Sequence, residues 1–148
     1  MRYLLDTNII LFYLKNATQS HWINENYDLF ASNNQQIISV VTLGEIRALS
    51  LKNYWGIQRF KKLEALLPLF IIADIHSEDV IQRYAEIDAF SQNKLKDMPL
   101  KNSARNMGKN DLWIAATASV SNARLMTSDN DFDHLEGTFI ELITVGKR

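Results

Sequence analysis

Short apolar segments rich in β-branched residues alternate along this chain with longer segments of helical periodicity, and this alternation limits the fold more than any other feature. Residues 2–6 (RYLLD) read as a buried strand, 36–42 (QIISVVT) as a second, 69–75 (LFIIADI) as a third, 124–128 (RLMTS) as a fourth and 139–145 (FIELITV) as a fifth. Between them the pattern predicts helices at 8–15, 18–31, 42–53 and 56–67, the last stopped by Pro68. A long helix is capped by Ser77 and carries Val80, Tyr84 and Ile87 on one stripe, and an alanine-rich helix spans 110–120. Strands of this kind separated by helices imply an α/β fold, a parallel sheet covered on both faces with right-handed crossovers. Ligands then bind beyond the carboxyl ends of the strands.

The chain of 148 residues suits one domain, 1–148, with a sizeable core. No internal repeat or linker breaks it. Its net charge of −1 argues against wholesale nucleic-acid binding, so any such role needs a local patch. The absence of cysteine removes thiolate metal sites and a Cys nucleophile. No charged leader with a cleavage site is evident, and no apolar run approaches the ~20 residues of a membrane helix, so a cytoplasmic location is expected.

The acids fall in a telling place. Asp6 ends the first strand inside the run RYLLDTNIILFYL, where a carboxylate is costly unless paired. Glu45 lies in the helix after the second strand, Asp111 opens the alanine-rich helix, and Asp129 and Asp131 follow the fourth strand. All sit at the ligand-binding end of the expected sheet. Two unit charges ~4 Å apart interact by about 4 kcal/mol at an effective dielectric near 20, so such a cluster must take up protons or hold a cation. All-oxygen ligation suits Mg²⁺ or Mn²⁺.

Blander readings exist for each. Asp6 fits a turn Asp-Thr-Asn. Glu45 fits a capping box with Thr42. Asp111 follows Asn110, an N-cap candidate, and gains from the helix dipole wherever it points. Asp131 fits a turn and Asp133 a solvated position. The spacing of Asp129, Asp131 and Asp133 also suggests a calcium loop, but His134 stands where glycine is needed and Ile140 where glutamate is needed. His21, His76 and His134 lack the pairing expected of a zinc site.

LLDTNIIL, TLGEI, NDLWIAATA and MTSDNDF, in that order, resemble the PIN-domain ribonucleases, and among them the VapC-like toxins of type II toxin–antitoxin modules. The resemblance implies a three-layer α/β/α fold around a central, mostly parallel sheet of four to five strands. It also implies an endoribonuclease dependent on Mg²⁺ or Mn²⁺, a homodimer, and inhibition by a small antitoxin protein. Its four acids carry onto Asp6, Glu45, Asp111 and Asp129, with Asp131 as accessory; Asp129 and Asp131 can exchange roles. Thr7, Asn8, Asn110 and Thr127 are candidates to hydrogen-bond these carboxylates, with helix capping the alternative for the two asparagines.

RNA needs cations to meet it. Residues 91–110 hold Lys94, Lys96, Lys101, Arg105 and Lys109 against Asp97 alone, a net of +4. Such runs are usually solvated loops, but this one precedes Asp111, which makes Lys101, Arg105 and Lys109 candidates for phosphate contact. For an antitoxin, Phe12, Tyr13, Trp22, Tyr54 and Trp55 are candidate groove residues, core filling being the alternative. Two other functions compete: an Mg²⁺-binding signalling receiver, which would place a phosphoacceptor after the third strand at Asp74, and a non-catalytic interaction module whose acids only stabilise helix ends.

Overall fold

A computed structural model describes residues 1–146 of the chain. Five parallel strands form the sheet: β1 (Arg2–Leu5), β2 (Gln35–Ser39), β3 (Ile71–Ala73), β4 (Arg124–Thr127) and β5 (Glu141–Thr144), in the order β3-β2-β1-β4-β5. The helices are α1 (Thr7–Leu14), α2 (Thr18–Tyr27), α3 (Val40–Lys52), α4 (Ile57–Leu66), α5 (Glu78–Ser91) and α6 (Lys109–Val120). A 3₁₀ turn, Asn130–Leu135, follows β4. The expected three-layer α/β/α architecture is therefore the observed one.

Strand alternation sorts the core into two halves. Leu4 joins Ile37, Ile87, Phe90, Ile114 and Leu125 in the layer built on α5 and α6, while Tyr3 and Leu5 join Ile9, Ile10, Ile23, Ile38 and Ile46 in the layer built on α1 to α4. A side chain on each face of a two-sided strand is what period 2 requires, and it explains why β1 reads as continuously apolar. Leu4, Leu5, Ile38 and Leu125 are fully buried.

Several boundaries differ from the sequence expectation. The second strand ends at Ser39, not at residue 42. The hydroxyl of Ser39 accepts the Val41 N–H at 3.0 Å, so the helix begins at Val40. Thr42 therefore lies inside α3 and caps nothing. Helix α2 stops at Tyr27 because Asp28 takes a left-handed φ of 43° that ends the helical path. Gly108, not Asn110, is the N-cap of α6. The third strand is only three residues long, because a 3₁₀ turn at Leu67–Leu69 occupies its expected start.

Chain order moves outward from β1 in one direction through β2 and β3, and in the other through β4 and β5. The direction reverses between β1 and β4. A crevice at their carboxyl ends is thus the place where a doubly wound sheet puts a ligand.

Candidate metal centre

Asp6 is the first residue past β1, and its N–H still bonds the Met126 carbonyl of β4 at 3.0 Å. The residue is 5% exposed. Oδ1 accepts the Thr7 N–H at 2.8 Å and Oδ2 accepts the Thr127 hydroxyl at 2.8 Å. One oxygen thus caps α1, as the turn reading requires, and the other faces across to β4. Burial pushes the Asp6 carboxyl above its ordinary range, and the charge of Asp129 adds to the rise, against hydrogen bonds from Thr127 and Thr7 that lower it.

Thr127 is fully buried at the end of β4. Its oxygen donates to Asp6 and accepts the Asp129 N–H at 3.0 Å. Asp129 in turn caps the 3₁₀ turn by accepting the Asp131 N–H at 2.9 Å. This chain of bonds brings the two aspartates of SDND to face α6, where Asp111 occupies the first turn. Carboxylate oxygens of Asp111, Asp129 and Asp131 lie within 4.8 Å of one another. The small residues Ala115 and Ala118, both fully buried, let α6 lie close to the sheet.

Asp111 registers the gathering most clearly. Its carboxyl is pushed from 3.8 up to about 7, first by burial and then by the charges of Asp6, Asp129, Asp131 and Glu45. Glu45 is partly buried on α3, and Thr7 Oγ1 donates to its Oε1 at 3.1 Å. The capping box expected with Thr42 does not form, because Ser39 holds the cap. Burial raises the Glu45 carboxyl too, with Asp6 contributing and the Thr7 bond opposing. Glu45 and Asn110 line one cleft of about 460 Å³ between α3 and α6.

All five sequence-predicted acids therefore occupy one end of the sheet. Asp111, Asp129 and Asp131 form the tight trio, and Asp6 and Glu45 stand beside it, coupled to Asp111 by charge. Asp131, expected as an accessory, belongs to the trio together with Asp129. The hydroxyls of Thr7 and Thr127 bond to acids as expected. Among the described residues, Asn8 and Asn110 show neither the acid bond nor the capping bond expected of them: Asn8 follows the cap Asp6 in α1, and Asn110 is the second residue of α6.

The cations divide. Arg105 shares a cavity of about 260 Å³ with Asp131. Lys101 lines a separate cavity farther along the loop, and Lys109 is exposed at the start of α6. Asp74 lies past β3, on the edge strand, where it caps the Ile75 N–H at 2.7 Å and faces the exposed His76 at 3.9 Å. It stays outside the acid group, which removes the phosphoacceptor arrangement of a receiver. Sequence reading missed the buried pair Ser91 and His134, whose Oγ and Nε2 lie 2.7 Å apart. No local signal links residues so distant in the chain.

The donor set fits a hard dication: several carboxylate oxygens converge, no nitrogen or sulfur ligand joins them among the described residues, and burial and mutual repulsion destabilise the acids as anions. The family model for the PIN domain matches residues 3–137. The chain is 30% identical over 127 residues to ribonuclease VapC1 of Haemophilus influenzae, covering 86% of each. Its fold matches the VapBC2 structure from Rickettsia felis bound to a promoter DNA fragment with a TM-score of 0.74 and 28% identity, over 97% of this chain and 98% of that one. It also matches VapBC-1 from nontypeable Haemophilus influenzae with a TM-score of 0.74 and 27% identity, over 99% of this chain and 100% of that one. With its sheet and nearly its whole length accounted for in this way, the chain belongs to the PIN domain family.

Proposed function

We propose that this protein is a metal-dependent endoribonuclease that hydrolyses RNA phosphodiester bonds, acting as the toxin of a toxin–antitoxin pair. The observation that carries the reading is the convergence of Asp111, Asp129 and Asp131 carboxylate oxygens within 4.8 Å, with Asp111 raised by burial and then by the charges of its neighbours, in a family where similar chains are named ribonucleases. A site that only stabilised helix ends would not crowd anions until one of them holds its proton near neutrality.

Asp6, Asp111 and Asp129, with Asp131, would hold Mg²⁺ or Mn²⁺. The bound ion supplies a water of lowered pKa and neutralises charge on the phosphoryl oxygens. Thr127 fixes Asp6 and Asp129 relative to one another through one shared hydroxyl. Glu45, steadied by Thr7, supports a second ion or accepts a hydrogen bond from the attacking water and aims it at phosphorus. Arg105, beside Asp131, meets the phosphate backbone, with Lys101 and Lys109 extending the cationic path.

An antitoxin partner follows from the same reading, since the similar solved structures are VapBC complexes. The expected aromatic groove is partly open. Tyr54 is 91% exposed, and a cavity of about 520 Å³ between α1 and α4 is lined by Leu14, Lys15, Tyr54, Trp55, Arg59 and Lys62. Phe12, Tyr13, Trp22 and Trp55 also pack against the core, Trp55 while lining that cavity. A homodimer would find apolar surface at the β3 edge, where Ile71 and Ile72 are half exposed. Among the described residues no helix is long and apolar enough to cross a membrane, and the proposed activity places the protein with RNA in the cytoplasm.

The test is cleavage of total cellular RNA. Wild type with Mn²⁺ cuts and EDTA stops it; Asp6→Asn and Asp111→Asn lose about 100-fold or more while remaining folded. Full activity in both variants would end the reading.

A further inference from the structure

The segment between α5 and α6 borders two cavities. The smaller holds Arg105 and Asp131, at the acid centre. The larger, about 390 Å³, is lined among others by Phe90, Met98, Leu100, Asn102, Asp133 and His134. Asp131 and His134 are three residues apart on one 3₁₀ turn, about 6 Å along its axis at roughly 2.0 Å per residue. The larger cavity therefore adjoins the acid centre along one continuous stretch of backbone.

Its wall is fixed from behind. His134 Nε2 and Ser91 Oγ lie 2.7 Å apart, and the imidazole runs parallel to the Phe90 ring, 6° between planes. The Ser91 carbonyl accepts the Arg105 N–H at 2.8 Å, so the same residue anchors the loop that carries the cations. Phe90, Met98 and Leu100 supply apolar surface, while Asn102 and Asp133 supply polar edges. That mixture suits a flat heteroaromatic ring held by its faces and read at its rim. Glu136 also borders the cavity, with its Oε2 accepting the Leu142 N–H, whereas Asp133 stands on the same 3₁₀ turn as Asp131 and is the lining carboxylate nearer the acid centre along the chain. Lys101, on the same rim, is placed to meet the backbone of a strand entering there.

We propose that this cavity receives the base of a nucleotide next to the cleaved phosphate, and that it favours a base bearing an exocyclic amino group over uracil. The proposal rests on the RNA-cleaving reading above. Single-stranded RNA offers unstacked bases that proteins recognise by their faces and edges. An ionised Asp133 only accepts hydrogen bonds, which an amino group can give. The uracil edge flanks its one N–H with two carbonyl oxygens, which a carboxylate repels.

The test is digestion of a random-sequence single-stranded RNA pool with Mn²⁺, followed by sequencing of the new ends. Wild type should deplete uracil about fivefold at one position beside the cut. Asp133→Asn, which can donate as well as accept, should erase that depletion relative to other positions. Leu100→Trp, which fills the cavity from a loop, should erase it as a second, independent arm. A uracil depletion that survives both substitutions, or ends with no base preference near the cut, overturns the pocket and leaves the nuclease reading standing. A wild type that cuts no RNA fails the nuclease reading itself, and this proposal with it.

Discussion

Thr127 and Asp6 meet at 2.8 Å, hydroxyl to carboxylate, although they are separated by nearly the whole chain. The contact joins the ends of β1 and β4 at the point where the sheet order reverses. It also fixes the direction in which Asp6 presents its charge. The same hydroxyl accepts the N–H of Asp129, so one buried atom sets the positions of two acids.

Replacing that hydroxyl tests its role. Thr127→Val keeps the shape of a buried strand residue but strips Asp6 of a donor and the Asp129 N–H of its acceptor. The loss of a buried partner costs about 1–3 kcal/mol. Urea denaturation should show a lower midpoint, and Mn²⁺ affinity should fall about 10- to 100-fold. Wild-type values for both would show that the hydroxyl does not organise the acids.

Metal-free protein should lose stability as pH rises. Asp111 ionises near 3.8 when free of its surroundings and near 7 in the folded chain, so the folded state binds its proton more tightly. That contribution is fully present below about pH 4 and is lost as pH climbs through about 7. Asp6 and Glu45, also raised, act in the same direction. Thermal melts with EDTA should therefore give a lower Tm at about pH 8 than at about pH 5 through these groups. Asp111→Asn should flatten the slope, and an unchanged slope in that variant would show that the buried, crowded Asp111 is not its cause.

Much of this was legible in the chain. Asp6 announced itself because a carboxylate interrupts a run that is apolar on both sides, and Asp129 because it follows a short buried strand at once. Asp111 was legible because it opens the alanine-rich helix. Glu45 was harder. Thr42 and Glu45 have the spacing of a capping box, and only the earlier end of β2 at Ser39 frees the glutamate for Thr7. Gly108 took the cap from Asn110 because glycine also serves at that position and the helix starts two residues sooner than an Asn110 cap requires. The link from Ser91 to His134 lies beyond sequence reading, since neither residue belongs to a periodic pattern that points at the other.

The basic loop makes a separate prediction. Lys101→Ala with Arg105→Ala should reduce the steepness with which RNA affinity falls with salt. Each lost phosphate contact on a single strand removes about 0.7 from the logarithmic slope. Binding to Asp6→Asn, which is expected not to cut, allows the measurement without turnover. An unchanged slope would clear these residues of phosphate contact.

The most direct measurement is calorimetric titration of Mn²⁺ into metal-free wild type and into Asp111→Asn at about pH 6.5, where Asp111 still holds most of its proton and its deprotonation accompanies binding. Wild type should show saturable binding with proton release, and the variant should bind at least about tenfold more weakly. Equal binding by the two proteins, or none by wild type, would contradict the claim that these acids are gathered to hold a dication.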